Sequence, residues 1–332
     1  VSIGDLNGNG YLDAFVVNTN SSNRVWFNMK NGTFKRSAQT FKYENSTSVA
    51  LADINKDGYI DALVTYQGQD NRVLLNHGNG TFFNSNMTLG NGNSTSIAVA
   101  DLNNNGYADV VVGNFNKVNQ LFWNNGTSLI DYKDISDKLS NSTNTTSVVL
   151  GDLDDNGYID VFVSNQNQNN YFWLNTNGTF SVYEIPNSTD SSGVALGKLN
   201  NDNYLDVFIT ADGPNTVWFY NATTGNFTNS GQKLSDNNST DVSLIDMDED
   251  GYLDAVISNQ DGQGNRIWYN KGQGNFTADA QSLGNATTKA LAVGDFDKDG
   301  DMDIFDANVG PNEFWLNNSP AANNGGGGGC GI

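Results

Sequence analysis

Acidic and amide side chains return at alternate positions in seven short loops of this sequence, an arrangement suited to holding a hard divalent cation. The loops share the pattern D-x-[DN]-x-[DN]-G-x-x-D. The first presents Asp5, Asn7, Asn9 and Asp13, with Gly10 before Tyr11. The second presents Asp53, Asn55, Asp57 and Asp61 around Tyr59, and the third Asp101, Asn103, Asn105 and Asp109 around Tyr107. The fourth has Asp152, Asp154, Asn156 and Asp160 around Tyr158, and the sixth Asp246, Asp248, Asp250 and Asp254 around Tyr252. The seventh has Asp295, Asp297, Asp299 and Asp303, with Asp301 where the others carry tyrosine. Calcium takes roughly 6–8 oxygen ligands. Positions 1, 3, 5 and 9 offer side-chain oxygens, the backbone carbonyl of position 7 offers another, and glycine at position 6 lets the chain turn back sharply.

Other metals fit less well. The one cysteine, Cys330, and the one histidine, His77, both lie outside the loops, which argues against zinc and copper. An EF-hand would place a bidentate glutamate at position 12, but Val16, Val64, Val112 and Val163 stand there, inside apolar runs. The alternative is an Asx-Gly hairpin turn without metal, yet a turn does not require acid or amide at four alternate positions. The fifth copy departs from the pattern: Lys198 replaces the first aspartate and Asn203 the glycine, and the Lys198 ammonium could stand in for the ion near Asn200, Asp202 and Asp206. The expectation is six structural Ca2+ ions and one metal-free loop.

The elements that must position these loops repeat with them. Loop starts lie 46 to 51 residues apart, at Asp5, Asp53, Asp101, Asp152, Lys198, Asp246 and Asp295. Before each loop runs a short stretch of small and branched residues, such as Ser96–Ala100, and after it an apolar run such as Val110–Val112. An aromatic run follows, as in Tyr171–Leu174 or Arg266–Tyr269, and then Asn-Gly or Gly-Asn leads into the next run. Four short β-patterned runs per repeat, with turn chemistry between them and no 3.6-residue period, give the size of one propeller blade. The expected fold is all-β: a seven-bladed β-propeller of four-stranded antiparallel blades with calcium-binding loops, over residues 1–318. Residues 319–332 read as a flexible Gly-rich tail.

Composition narrows the partners. With 37 acidic residues against 16 basic ones the net charge is −21, so no basic stripe exists to neutralise nucleic-acid phosphates, and an anionic membrane surface is disfavoured. No apolar run approaches the roughly 18–20 residues that cross a bilayer. The start at Val1, without Met or a signal peptide, suggests a mature or trimmed product. No nucleophile–base pair, phosphate-cradling loop or spare carboxylate pair is apparent, so a non-enzymatic role is expected.

The loops, such as Asp53-Ile-Asn55-Lys-Asp57-Gly58-Tyr-Ile-Asp61, and the Asn-Gly-Thr-Phe turns resemble the FG-GAP-like (VCBS) repeats, related to the propeller of integrin alpha subunits. The resemblance spans Val1 to Asn318. It implies a seven-bladed propeller with calcium between the first and second strands. The literal Phe-Gly and Gly-Ala-Pro signatures are absent, so no integrin ligand residues carry over. The family is mostly extracellular and includes adhesion modules, lectins and accessory domains of polysaccharide enzymes.

Asn-x-Ser/Thr sequons are dense. One set falls in the turn after the aromatic run, at Asn31, Asn79, Asn125 and Asn177, where Asn-Gly already has a turn explanation. A second set precedes successive first strands, at Asn45, Asn93, Asn141, Asn144, Asn187, Asn238 and Asn285; N-linked glycans are expected there. The last repeat stops after its third run, Glu313–Leu316, leaving a sheet edge that a neighbouring subunit could fill to build a fibre or that a segment missing from a truncated chain could close. The combined expectation is an extracellular or cell-surface adhesive or structural subunit with a protein or carbohydrate ligand, with a lectin as the alternative.

Overall fold

Small and branched residues open every repeat, and in the computed structural model they form the innermost strands. The structure describes residues 1–30, 33–41, 45–126, 144–234 and 238–317. Asn31, Asn141, Cys330 and the tail 319–332 therefore lie outside the described residues. All regular elements among the described residues are strands.

The first sheet runs β1 (Ser2–Gly4), β2 (Asp13–Val16), β3 (Arg24–Asn28) and β4 (Phe34–Arg36) in sequence order, antiparallel throughout. A second sheet joins β5 (Ser46–Ala52), β6 (Asp61–Asn76), β7 (Phe82–Ala100), β8 (Asp109–Asn114) and β9 (Gln120–Phe122). Three further four-stranded meanders follow: β10 (Thr145–Gly151) to β13 (Thr179–Ile185), β14 (Ser191–Gly197) to β17 (Asn226–Asn229), and β18 (Ser239–Ile245) to β21 (Phe276–Leu283). Within them lie β11 (Asp160–Asn165) and β12 (Asn170–Thr176), β15 (Asp206–Ala211) and β16 (Thr216–Asn221), and β19 (Asp254–Asn259) and β20 (Asn265–Asn270). The last sheet has three strands among the described residues, β22 (Thr288–Gly294), β23 (Asp303–Asn308) and β24 (Glu313–Trp315).

Counted as hydrogen-bonded sheets, the blades number six, which corrects the expected seven. Four have four strands, one has three and one has five. The reason lies in the connectors of the second repeat. Residues 67–70, between its second and third runs, pair with residues 91–93, which lead into the third repeat: Gln67 with Asn93, Gln69 with Gly92 and Asp70 with Asn91. The ladder is continuous there, so β7 serves the outer edge of one repeat and the inner edge of the next, and two loops share one sheet. In later repeats the same connectors make only isolated bridges, Phe115 with Asn144 and Asp212 with Asn238.

The strands following the loops read Val/Ile/Phe-rich without alternation because both their faces are covered. β8, β11 and β19 are buried over their whole length. Apolar clusters fill the seams between repeats; Phe162, Phe172, Val194, Trp218 and Phe227, for example, join the fourth repeat to the fifth. The ring closes between last and first: the Phe34 ring lies 5.1–5.4 Å from those of Phe296, Phe305 and Phe314, and Asn28 donates its side-chain amide to the Phe296 carbonyl at 2.7 Å.

Each inner strand after the first begins with a register shift that leaves one residue bulged: Thr47, Thr95, Thr146, Ser192, Thr240 and Lys289. The bulge turns the hydroxyl toward the next repeat. Thr47, Thr95, Thr146, Ser192 and Thr240 donate to the carbonyls of Ser94, Thr145, Ser191, Ser239 and Thr288 at 2.6–2.9 Å. Four of these five, Thr47, Thr95, Thr146 and Thr240, are also the third residues of sequons at Asn45, Asn93, Asn144 and Asn238, so packing alone supplies a reason for threonine there.

Candidate metal centres and the rim that carries them

Seven loops join inner strands to second strands, and two carboxylates per loop shape most of them from within. The position-1 aspartate accepts the amides of positions 5 and 6: Asp5 from Asn9 and Gly10 at 3.0 and 2.7 Å, Asp152 from Asn156 and Gly157 at 3.0 and 2.8 Å. Gly10, Gly58, Gly106, Gly157, Gly251 and Gly300 hold φ between +84° and +101°, the conformation that position 6 needs for this wrap. The position-9 aspartate is fully buried in every loop. One of its oxygens accepts the position-2 amide, as from Leu6, Leu153 and Phe296, and the other accepts an amide at the end of the third strand, as from Asn28, Asn175 and Asn317.

Burial pushes these position-9 carboxyls up against the opposing pull of their amide donors. They reach about 6 at Asp13, Asp61, Asp109, Asp206 and Asp303 and about 7 at Asp160 and Asp254. Desolvation dominates, and neighbouring loop carboxylates add to it. An anion held this way favours a cation beside it.

The loops divide by how many carboxylates meet. Asp152, Asp154 and Asp160 bring oxygens within 4.8 Å of one another, as do Asp246, Asp248 and Asp250, and Asp295, Asp297 and Asp299. In the fourth loop Asp154 Oδ1 is buried without a hydrogen-bond partner, and burial and then the Asp152 charge raise the Asp154 carboxyl. An all-oxygen donor set with an unpartnered buried oxygen fits Ca2+. In the sixth loop the Lys271 ammonium stands 3.1 Å from Asp248. Burial opposes its charge, but the Asp248 hydrogen bond and the charges of Asp248, Asp250 and Asp254 outweigh that and hold its pKa high.

The first three loops do not gather three carboxylates. Asn7 donates to Asp13 at 2.8 Å and Asn55 to Asp57 at 3.0 Å, while Asn9 and Asn105 turn their amides to the carbonyls of Asn28 and Asn124. Asn103 Oδ1 accepts the Asn105 amide at 3.1 Å. Asp53 and Asp101 hold their own turns. Asp109 caps Leu102 and Asn124. Asp301 lies beside the seventh cluster, its amide donating to Asp299.

The position-7 amides bond back to position 5, as from Tyr11, Tyr59, Tyr107, Tyr158 and Tyr252. The rings of Tyr59, Tyr107 and Tyr252 lie over the glycines Gly78, Gly126 and Gly272 of the following outer turn, where any Cβ would meet the ring. Loops and outer turns therefore share one rim. Lys56 and Lys298 reach along it to the Tyr107 and Tyr11 rings of the next loops, at 4.1 and 4.3 Å.

In the fifth loop Lys198 is exposed and forms no ion pair with Asp202 or Asp206, so it does not occupy the ion's place as expected. Instead Asp202 is held by the Asn200 amide at 2.9 Å, and Asp206 accepts three backbone amides. His77 is exposed and stacks on Phe83.

Sequence reasoning passed over a second repeated residue. Asn28, Asn76, Asn124, Asn175 and Asn270 end the third strands and reach back one repeat, to the carbonyls of Phe296, Leu6, Ile54, Leu102 and Leu199 at 2.6–2.9 Å. The signal was an asparagine after each aromatic run, interrupted once, by Tyr220.

The second set of sequons occupies the opposite rim, where Asn45, Asn93, Asn144 and Asn238 accept amides from the turns between second and third strands. Asn45, Asn187 and Asn285 are exposed there, and Asn93, Asn144 and Asn238 half-buried.

The fold has known counterparts. BBS1N, solved in complex with ARL6DN, superposes with a TM-score of 0.61 at 14% identity, covering 93% of this chain and 87% of that one. The BP39L lectin of Burkholderia pseudomallei superposes with a TM-score of 0.70 at 15% identity, covering 92% of each. At such identities the likeness is one of fold. A search of curated protein sequences finds no match. The profile of the FG-GAP-like repeat matches six times, over residues 5–64, 53–112, 101–163, 152–209, 198–257 and 246–305, each match running from one acidic loop through the next. The chain belongs to the FG-GAP-like repeat family.

Proposed function

We propose that this chain is a non-catalytic, calcium-stabilised propeller that serves outside the cell as an adhesive or structural subunit. The observation that carries the reading is the gathering of three carboxylates in each of the fourth, sixth and seventh loops, with Asp154 Oδ1 buried and unpartnered. Ions in six loops would neutralise part of the −21 charge and tie inner to second strands around one rim. Each site at 100 times its dissociation constant would add about 2.7 kcal/mol of stability. N-linked glycans on Asn45, Asn187 and Asn285 would cover the other rim, and intact mass before and after glycosidase reads them directly. Pairing of copies along β24, which has one neighbour among the described residues, is the finer form of the proposal; light scattering across concentration tests it.

The deciding experiment is chelation. Protein dialysed against EGTA should melt well below the calcium-loaded form, and elemental analysis should find several calcium ions per chain. An unmoved melting curve with no bound calcium overturns the reading. A second reading, a carbohydrate-binding propeller, is favoured by tyrosine rings recurring beside amides and carboxylates on one rim.

A further inference from the structure

The 37 acidic residues of the chain leave one stretch bare. Residues 14–43 contain none of them and hold five of the 16 basic residues, Arg24, Lys30, Lys35, Arg36 and Lys42. In the fold Lys30, Lys35 and Arg36 line a cavity of about 730 Å3 together with Phe27, Met29 and Asn79. That volume lies within the range of ligand sites, about 300–1,000 Å3. Both repeats hold the walls in place. The Phe27 ring lies over Gly80, where any Cβ would meet it. Gln39 accepts the Phe82 amide at 2.9 Å and donates to the Phe82 carbonyl. The cations have no such partners: among the described residues Lys30, Lys35 and Arg36 form no salt bridge. Met29 is 51% exposed beside them. The strand that carries Lys35 and Arg36 is also open. Among the described residues β4 has one neighbour, β3. Phe27 stands opposite Lys35, while the Met29 amide donates to the Thr33 carbonyl and the Ser37 amide to the Val25 carbonyl, both at 2.8 Å. By the alternation of an antiparallel ladder, the backbone groups of Lys35 face β3 and those of Phe34 and Arg36 face outward.

We propose that this edge and cavity together receive an extended acidic segment of a partner polypeptide, added to β4 as a further strand. The outward backbone groups of Phe34 and Arg36 supply the main-chain bonds of strand addition. Carboxylates of the segment meet Lys30, Lys35 and Arg36, and an apolar side chain rests on Phe27 and Met29. Charge selects the class. Lysine and arginine on an exposed edge repel a like edge and favour an acidic one. The outer strands β13 and β21 carry Glu184 and Asp279 instead, and β17 carries no charge, so none of these three edges offers the same surface. A long polyanion or an anionic membrane would meet the rest of a chain of net charge −21, whereas a short acidic segment meets only this face. The inference deepens the adhesive reading and rests on it for there being a polypeptide partner.

The test uses the calcium-loaded full chain and a fluorescein-labelled, amidated peptide of glutamates around one leucine, followed by fluorescence anisotropy. Its counterpart with glutamine in place of glutamate is the control. The glutamate peptide should bind roughly tenfold or more tightly than the control, and less tightly as salt is raised. Lys35→Glu should weaken it roughly tenfold or more, and Met29→Ser should weaken it in the same direction. Both residues are exposed, so neither variant threatens the fold. Amide hydrogen exchange at Phe34 and Arg36 should slow when the peptide binds. Failure of the glutamate peptide to bind, equal binding of the two peptides, or binding unchanged in Lys35→Glu would overturn the site. Exchange at Phe34 and Arg36 that a bound peptide leaves unaltered would overturn the strand addition. Tighter binding to vesicles of anionic phospholipid than to the peptide would overturn the ligand class. Each of these results leaves the calcium reading standing, since chelation judges it separately.

Discussion

Replacing Asn76 with alanine should weaken the seam between the first and second repeats more than its single side chain suggests. Asn76 is 3% exposed. Its amide donates to the Leu6 carbonyl of the first loop and to the Ile60 carbonyl of its own, both at 2.9 Å. Its oxygen accepts the Gly78 and Gly80 amides at 3.0 and 3.1 Å. Alanine leaves four backbone groups without that partner. Leu6 and Gly80 are buried, so their orphaned groups cost about 1–3 kcal/mol each, whereas Ile60 and Gly78 are half-buried and open to replacement by water. The expected loss is about 2–5 kcal/mol, a large part of the stability of an ordinary domain, about 5–15 kcal/mol. Asn76→Asp should lose at least as much, because it keeps the acceptor, removes both donors and adds a charge to the seam that holds Asp61. The assay is urea unfolding in excess calcium, followed by tryptophan fluorescence, with the m-value compared between variants. A midpoint for Asn76→Ala equivalent to less than about 0.5 kcal/mol, at unchanged m-value, would refute the role assigned to this residue and to its counterparts Asn28, Asn124, Asn175 and Asn270.

Two further outcomes are expected. Asp306 stands where the other repeats place Val or Ile; it is fully buried, its Oδ1 has no partner, and its other oxygen accepts from Trp315 Nε1 at 2.8 Å. Burial raises it from 3.8 to about 6, opposed by its bonds with Trp315 and Asn265 and reinforced by the Glu313 charge. A folded pKa above the unfolded one means that stability falls as pH rises from about 4 through 6, by up to about 3 kcal/mol. Asp306→Val should therefore stabilise the protein at pH 8 and much less at pH 4; thermal melts at both values check this, and equal effects would count against it. Lys198→Asp combined with Asn203→Gly should rebuild the fifth loop and raise the calcium content by one ion per chain in elemental analysis; an unchanged count would refute the assignment of those two residues.

The acidic loops, their family and the four-run repeat were legible in the sequence because they depend on short-range rules. A carboxylate bonding amides four and five residues on, and a glycine at positive φ, are fixed within nine residues. The blade count was not legible at that range. Whether residues 67–70 end one strand and begin another depends on whether residues 91–93 lie alongside them, a pairing only tertiary structure decides. The same holds for the asparagine and threonine bonds between repeats, whose partners lie 45 to 73 residues away, or 268 at the closure. Lys198 makes the contrast sharpest. The sequence marked the fifth loop as unlike the rest and put an ammonium in the ion's place. In the fold Lys198 faces solvent, and Tyr220, far along the chain, closes with Tyr204 around a cavity instead. Local spacing determines which oxygens a loop can offer; the packing of one repeat on the next determines which of them meet.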